Sequence, residues 1–278
     1  MTAPEAQGKS AKKSIVFVDN DRFFLDAITD LLSEQGFAVL TARDGIEALS
    51  VIREVKPDII LLDIVLPKLD GSRVCAAVRQ DPTLRNTPII AFSGLSPQDY
   101  RFFPQLSADA YVAKGPLATA ADNILKAISH LEEKGREKAE GQVLGYENFR
   151  SRQIVKELLL ERRHLAAILR ALGPGVVELN QEGRIVMVNL RACEILGKKE
   201  GLLVGELFSS LFPLPHRSGV QELMADLVRS SEPTHVWSAL PLSGTEVPMR
   251  LAAIVDENEC SGILVTLEVK ESMPGKGA

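Results

Sequence analysis

Residues 58–63 read Asp-Ile-Ile-Leu-Leu-Asp, four consecutive apolar residues held between two acids. A strand wetted on one face alternates apolar and polar side chains, whereas one that is apolar at every position needs cover on both faces. Such a strand belongs inside a parallel sheet flanked by helices, and parallel neighbours must be joined by long crossovers. The surrounding sequence supplies them. An apolar run over 15–18 is followed by Phe23, Phe24, Ala27, Ile28, Leu31 and Leu32 at helical spacing, closed by Gly36. A strand over 37–42 leads to a helix over 45–55, stopped by Lys56-Pro57. Helices over 71–80, 98–106 and 117–134 then alternate with strands over 88–92 and 110–113. Five β–α units within about 120 residues predict a doubly wound α/β domain on a five-stranded parallel sheet.

The period changes after residue 134. The segment 135–148 is polar and Gly-interrupted, and a charged helix is expected from 149 to 172. Ile154, Leu158, Leu165, Ile168 and Leu172 fall on heptad a and d positions along it, with Glu161 intruding. This spacing suits either a short dimeric coiled coil or a helix lying on its own domain. Past Gly173-Pro174-Gly175, two short strands flank Asn180-Gln181-Glu182-Gly183. A broken helical stretch over 190–228 and strands over 236–242, 246–255 and 262–269 complete an α+β half with an antiparallel sheet. The expected division is a disordered tail over 1–12, the α/β domain over 13–133, a helical linker over 134–159, the α+β domain over 160–270 and a second tail over 271–278.

Composition narrows the function. With 32 Lys and Arg against 37 Asp and Glu, the net charge of −5 gives no basic surface for nucleic acid. No apolar run approaches the roughly 20 residues needed to span a bilayer, and residues 1–13 are polar and basic with no apolar stretch of a secretory leader. Cys75, Cys193 and Cys260 are scattered, with neither disulfide nor zinc spacing. A cytoplasmic protein without membrane insertion is expected.

In an open parallel sheet, functional groups gather just past the C-terminal ends of strands. Here those positions hold Asp19-Asn20-Asp21, Asp63, Ser93 and Lys114. Carboxylates brought together repel, and a hard Mg²⁺ ion would offset them. A metal-backed carboxylate beside an ammonium and a hydroxyl is suited to accepting a phosphoryl group. Singly, each has a plainer use: Asn20 or Asp21 as a helix cap, Ser93-Gly94 as a turn, Lys114 as a loop lysine.

Jointly, Val18-Asp19-Asn20-Asp21, Leu62-Asp63-Ile64-Val65-Leu66-Pro67-Lys68-Leu69-Asp70-Gly71, Ser93-Gly94 and Tyr111-Val112-Ala113-Lys114 resemble the motifs of a response-regulator receiver domain of the CheY-like fold. The resemblance implies Asp63 as phosphoacceptor, with Asp19, Asn20, Asp63 and the carbonyl of Val65 around Mg²⁺. It implies Lys114 as the phosphoryl-contacting cation, Ser93 as the switch hydroxyl and Tyr111 as the aromatic that follows it. Two positions depart from the family. Asn20 stands where a second acid is usual, so weaker metal binding and slower phosphorylation are expected, because an amide ligates without charge. Gly115 intervenes before Pro116, where Pro usually follows the Lys directly.

Residues 175–189 with Leu196-Gly197 are similar to the opening of a PAS sensory domain. Such domains bind a small ligand or dimerise; the ligand here is unknown. Cys193 lacks the sequence context of a flavin adduct, His216 and His235 read as surface or core rather than haem ligands, and Trp237, Phe208 and Phe212 read as core. His164 lacks the setting of a kinase phosphoacceptor, and no ATPase domain follows it.

The resemblances imply a phosphorylation-switched, non-enzymatic signalling protein. It would take its phosphoryl group from a histidine kinase or phosphotransfer protein and act on a downstream signalling partner, as a homodimer through the linker helix and PAS domain. Two other readings are a phosphorylation-inactive receiver serving as a dimeric scaffold and, from the Asp19-x-Asp21 spacing, a phosphatase of the haloacid-dehalogenase type.

Overall fold

The computed structural model describes residues 12–95, 106–134, 142–145, 164–165, 167–169, 171–229, 235–242, 245–256 and 259–268. The first half runs β1 (Ser14–Val18), α1 (Arg22–Glu34), β2 (Ala38–Ala42), α2 (Gly45–Val55), β3 (Ile59–Leu62), α3 (Gly71–Gln80), β4 (Ile89–Ser93), β5 (Ala110–Ala113), α4 (Leu117–Lys134) and β6 (Gln142–Leu144). All its strands are parallel, in the order β2-β1-β3-β4-β5-β6. The chain therefore reverses its direction of winding between β1 and β3, and a crevice opens at their C-terminal ends.

Strand β3 is buried at all four positions. Ile59 and Leu61 join Ile15, Phe17, Ile90 and Phe92 on one face, beneath Leu25, Ile28 and Leu32 of α1 and Ile124 and Ile128 of α4. Ile60 and Leu62 point to the opposite face and are equally buried. Each such side chain contributes about 1.5–3 kcal/mol of burial, which fixes the strand's place and the position of the acid that follows it. Helix starts are set locally. Asp21 accepts from the Phe23 amide at 2.9 Å to begin α1, and Asp44 accepts from the Ile46 and Glu47 amides to begin α2.

The α/β class holds, with one strand more than the five expected. Within the segment expected as a helical linker, residues 142–144 instead pair in parallel with β5, Tyr111 opposite Val143. A run of three residues is too short to declare itself, and it becomes a strand because β5 offers an unpaired edge. Gly145 (φ +80°) turns the chain away beside Asn123, where a Cβ would crowd the Asn123 amide. The helix expected over 98–106 lies outside the described residues except for residue 106, which is not helical.

The second half forms a five-stranded sheet in the order β8-β7-β11-β10-β9, antiparallel throughout. Its elements are β7 (Gly175–Leu179), β8 (Ile185–Val188), α5 (Leu190–Leu196), α6 (Glu200–Leu203), a 3₁₀ turn (Phe208–Leu211), α7 (Leu214–Arg229), β9 (His235–Leu242), β10 (Thr245–Asp256) and β11 (Glu259–Leu267). Phe208 and Phe212 meet edge to face in a core with Val177, Met224, Met249 and Ile263. Cys193 packs against that core, and His216 lies exposed on α7. The side chains of His235 and Trp237 lie outside the described residues.

Asn189 organises the entry to this half. Its side-chain oxygen accepts from the amides of Val176 and Ala192, both at 2.8 Å, and its amide donates to the carbonyls of Leu169 and Pro174 at 3.1 and 3.0 Å. All four of its bonding directions are used, by the incoming helix, the chain before β7, β7 itself and the start of α5. Of the predicted linker helix, residues 164–165, 167–169 and 171 are helical, and His164 is exposed; Ile154, Leu158 and Glu161 lie outside the described residues. Leu165, Ile168 and Leu172 are 59%, 46% and 42% exposed.

Candidate functional site

Strand ends deliver the site. The Asp19 amide bonds to the Ala42 carbonyl, the Asp63 amide to that of Val18 and the Lys114 amide to that of Ser93, so each residue is held by the sheet at the point where its strand stops. Asp19, Asp63 and Ser93 are buried. The Lys114 ammonium joins the two acids, donating to Asp19 Oδ1 at 2.7 Å and to Asp63 Oδ2 at 3.1 Å. The remaining bonds come from the backbone: Asp21 N donates to Asp19 Oδ1 at 2.9 Å, and Val65 N to Asp63 Oδ1 at 3.1 Å. Gly71 sustains this packing, because a Cβ there would fall on the Asp63 carbonyl oxygen. Asp70 starts α3 by accepting from Arg73 N.

Four of the residues singled out in the sequence thus occupy one crevice. Gly115, the unusual residue before Pro116, does not keep Lys114 from either carboxylate. Asn20 is exposed, next to the buried Asp19. Asp21 spends its carboxylate on the helix cap. Val65 contributes its amide, and its side chain is exposed. Tyr111 is half-buried in β5, paired with Ala91 on one side and Val143 on the other. One participant escaped sequence reasoning. Phe24, which helical spacing assigned only to the α1 core face, sets its ring centroid 4.8 Å from Lys114 Nζ, and no local motif marks that contact.

Charge and burial oppose each other here. Asp19 is pushed up to about 6, by burial first and then by the charge of Asp63, while Lys114 and the Asp21 amide pull it down. Asp63 is also raised, by burial above all, against Lys114, the Val65 amide and the nearby Ser93 hydroxyl. Burial works to lower Lys114, but the two carboxylates outweigh it and leave Lys114 raised and cationic. Because folded Asp19 holds its proton more tightly than unfolded Asp19, its stabilising contribution is complete below pH 3.8 and is lost as pH rises through about 6. Urea midpoints are expected to fall across that window by the equivalent of roughly 3 kcal/mol. Asp19→Asn, which cannot titrate, is expected to flatten the slope; a flat wild-type profile between about pH 4 and pH 7 would contradict the burial-driven shift.

Two buried polar atoms in the crevice have no hydrogen-bond partner, Asp19 Oδ2 and Ser93 Oγ. Buried groups are seldom left so, and the pair is complementary: an anionic acceptor with nothing to bind it and a hydroxyl that lies near Asp63 without completing a hydrogen bond. Among the described residues no three His, Cys, Asp or Glu side chains converge, so the crevice brings two carboxylates rather than three. Two carboxylate groups, one with an orphaned oxygen, fit a hard divalent cation that keeps much of its water.

Residues 15–129 match the response regulator receiver domain, and residues 169–268 match the PAS fold. The polar-differentiation response regulator DivK of Brucella anthropi is 33% identical over 103 residues, 37% of this chain and 84% of DivK. The chain belongs to the response regulator receiver family. A probable transcriptional regulator, ycf27, of Guillardia theta is 38% identical over 104 residues, 37% of this chain but only 40% of ycf27. The phosphorylated cyanobacterial phytochrome response regulator RcpA is 31% identical, covering 44% of this chain and 94% of its own, at a TM-score of 0.39. The receiver and PAS domains together place the chain among two-component signalling proteins. Among the described residues no helix is long and apolar enough to cross a membrane.

Proposed function

We propose that the receiver half accepts a phosphoryl group on Asp63 from a histidine kinase or phosphotransfer protein in the cytoplasm. The observation that carries this reading is the Lys114 ammonium bridging two buried carboxylates beside the unpartnered Ser93 hydroxyl and Asp19 oxygen. An Asp63 carboxylate oxygen attacks phosphorus, the new O–P bond forms as the donor's N–P bond breaks, and the donor imidazole leaves. Lys114, held where negative charge accumulates, offsets that charge on the phosphoryl oxygens, and Ser93 Oγ gains the acceptor it lacks. Asp19, Asp63, the Val65 carbonyl and the Asn20 amide oxygen would hold Mg²⁺, which supplies further positive charge when bound.

Repacking around Ser93 and Tyr111 then passes through the linker helix to the PAS half and on to a downstream signalling protein. Leu165, Ile168 and Leu172, exposed at heptad spacing, support a homodimer built through that helix, readable as a loss of dimer mass in sedimentation when Leu165 and Ile168 are made Asp. The chain acts as an acceptor and relay rather than as an enzyme. A phosphatase built on Asp19 and Asp21 fits less well, because Asp21 is committed to capping α1. Incubation with acetyl phosphate and Mg²⁺ is expected to add about 80 Da to the wild type and nothing to Asp63→Asn. Equal gains in both, or none in the wild type, would refute the assignment.

A further inference from the structure

The Lys114 ammonium has three N–H directions and two carboxylate partners. Its remaining surroundings include aromatic carbon. Phe24 lies with its ring centroid 4.8 Å from Nζ, and Phe92 with its centroid at 5.9 Å. Both distances fall within the range over which a ring face attracts a cation. The rings brace each other edge to face at 5.5 Å, Phe92 is fully buried and leans on Phe17 at 6.1 Å, and Phe24 is steadied from outside by Phe23 at 5.7 Å. A chain of aromatics therefore runs from the crevice rim into the core, and the charge that serves the phosphoacceptor rests on it.

We propose that Phe24, backed by Phe92, is a positioning residue that seats the Lys114 ammonium between Asp19 and Asp63. An aromatic face suits this task for a physical reason. It attracts the cation and excludes water from it, yet it offers no lone pair that would capture an N–H. The ammonium is held in the crevice and still released to follow negative charge as it moves from the Asp63 carboxylate to a phosphoryl group. A carbonyl or amide in the same place would have to surrender a hydrogen bond at that moment. With Asn20 contributing no charge, the placement of this cation carries more of the site's electrostatics. The proposal rests on the phosphoacceptor reading for its consequence, but not for its geometry.

Two readouts separate those parts. In full-length protein carrying ¹³C-labelled lysine, the Lys114 ε-methylene signal, assigned by its loss in Lys114→Met, is expected to be displaced upfield by the ring beneath it. Phe24→Leu and Phe24→Met are expected to remove the displacement and to slow phosphorylation by acetyl phosphate about fivefold, as loss of a partly desolvated cation–π contact implies. Phe24→Tyr keeps the ring and is expected to stay within about twofold of wild type. On a Lys114→Met background, Phe24→Leu is expected to slow the reaction no further. A Lys114 signal without displacement in the wild type, one unmoved by loss of the ring, or an equal slowing with and without Lys114 would overturn the proposal. Absence of any phosphoryl gain in the wild type would refute the phosphoacceptor reading instead, and the lysine signal would still decide the seating of the ammonium.

Discussion

Lys114→Met is expected to unfold at markedly lower urea than the wild type at pH 8 and to recover much of the difference at pH 5. The ammonium is the cation bonded to both Asp19 and Asp63, and removing one partner of a buried ion pair costs about 3–5 kcal/mol because charge is left uncompensated. The carboxylates can escape that cost by binding protons. Asp19 already sits at about 6 with Lys114 in place, and both acids move higher without it. Acids whose folded pKa is raised stabilise the fold at low pH and cease to do so as pH climbs through the raised value, so the penalty grows toward alkaline pH. Equal urea midpoints for the two proteins at pH 8 would show that the ammonium does not compensate these carboxylates.

Asn189→Ala is expected to cost the PAS half about 3–4 kcal/mol, although it removes only one small side chain. The loss is large because the substitution strands groups rather than merely deleting bonds. The amides of Val176 and Ala192 lose their partner at buried positions, and the carbonyls of Leu169 and Pro174 lose theirs at partly buried ones. Asn189→Asp separates the two kinds of bond. It keeps an acceptor for the amides but sets a second oxygen against the two carbonyls, and it is expected to release the helix around Leu169 more than the start of α5. Amide exchange at Val176, Ala192 and the residues near Leu169, read beside urea unfolding, checks both variants. An Asn189→Ala protein within about 1 kcal/mol of wild type would show that the four contacts do not hold this junction together.

Much of the fold and of the site is legible in the sequence, for identifiable reasons. A parallel sheet is announced by strands apolar on both faces, and 59–62 is such a strand. Once the sheet is recognised, the residue after each strand lies at one edge, which is why Asp19, Asp63, Ser93 and Lys114 stood out from sequence alone. What stayed hidden depends on partners distant in the chain. Residues 142–144 become a strand only because β5 has a free edge. The helical spacing of Phe24 reports that it faces inward, and says nothing of a lysine 90 positions later. Asn20 and Asp21 were ambiguous between cap and ligand, and the fold divides them: Asp21 caps while Asn20 stays exposed. Asn189 enters the sequence reading only as the last residue of the PAS-like run; its grip on Leu169 and Pro174 requires the third dimension.

On the proposed reading, Asp63 and no other carboxylate becomes an acyl phosphate. Borohydride reduces an aspartyl phosphate to homoserine with release of phosphate and leaves free carboxylates untouched. Peptide mapping of the chain after treatment with acetyl phosphate, Mg²⁺ and then borohydride is expected to find homoserine at position 63 alone. Homoserine at position 19, or at neither position, would contradict the account.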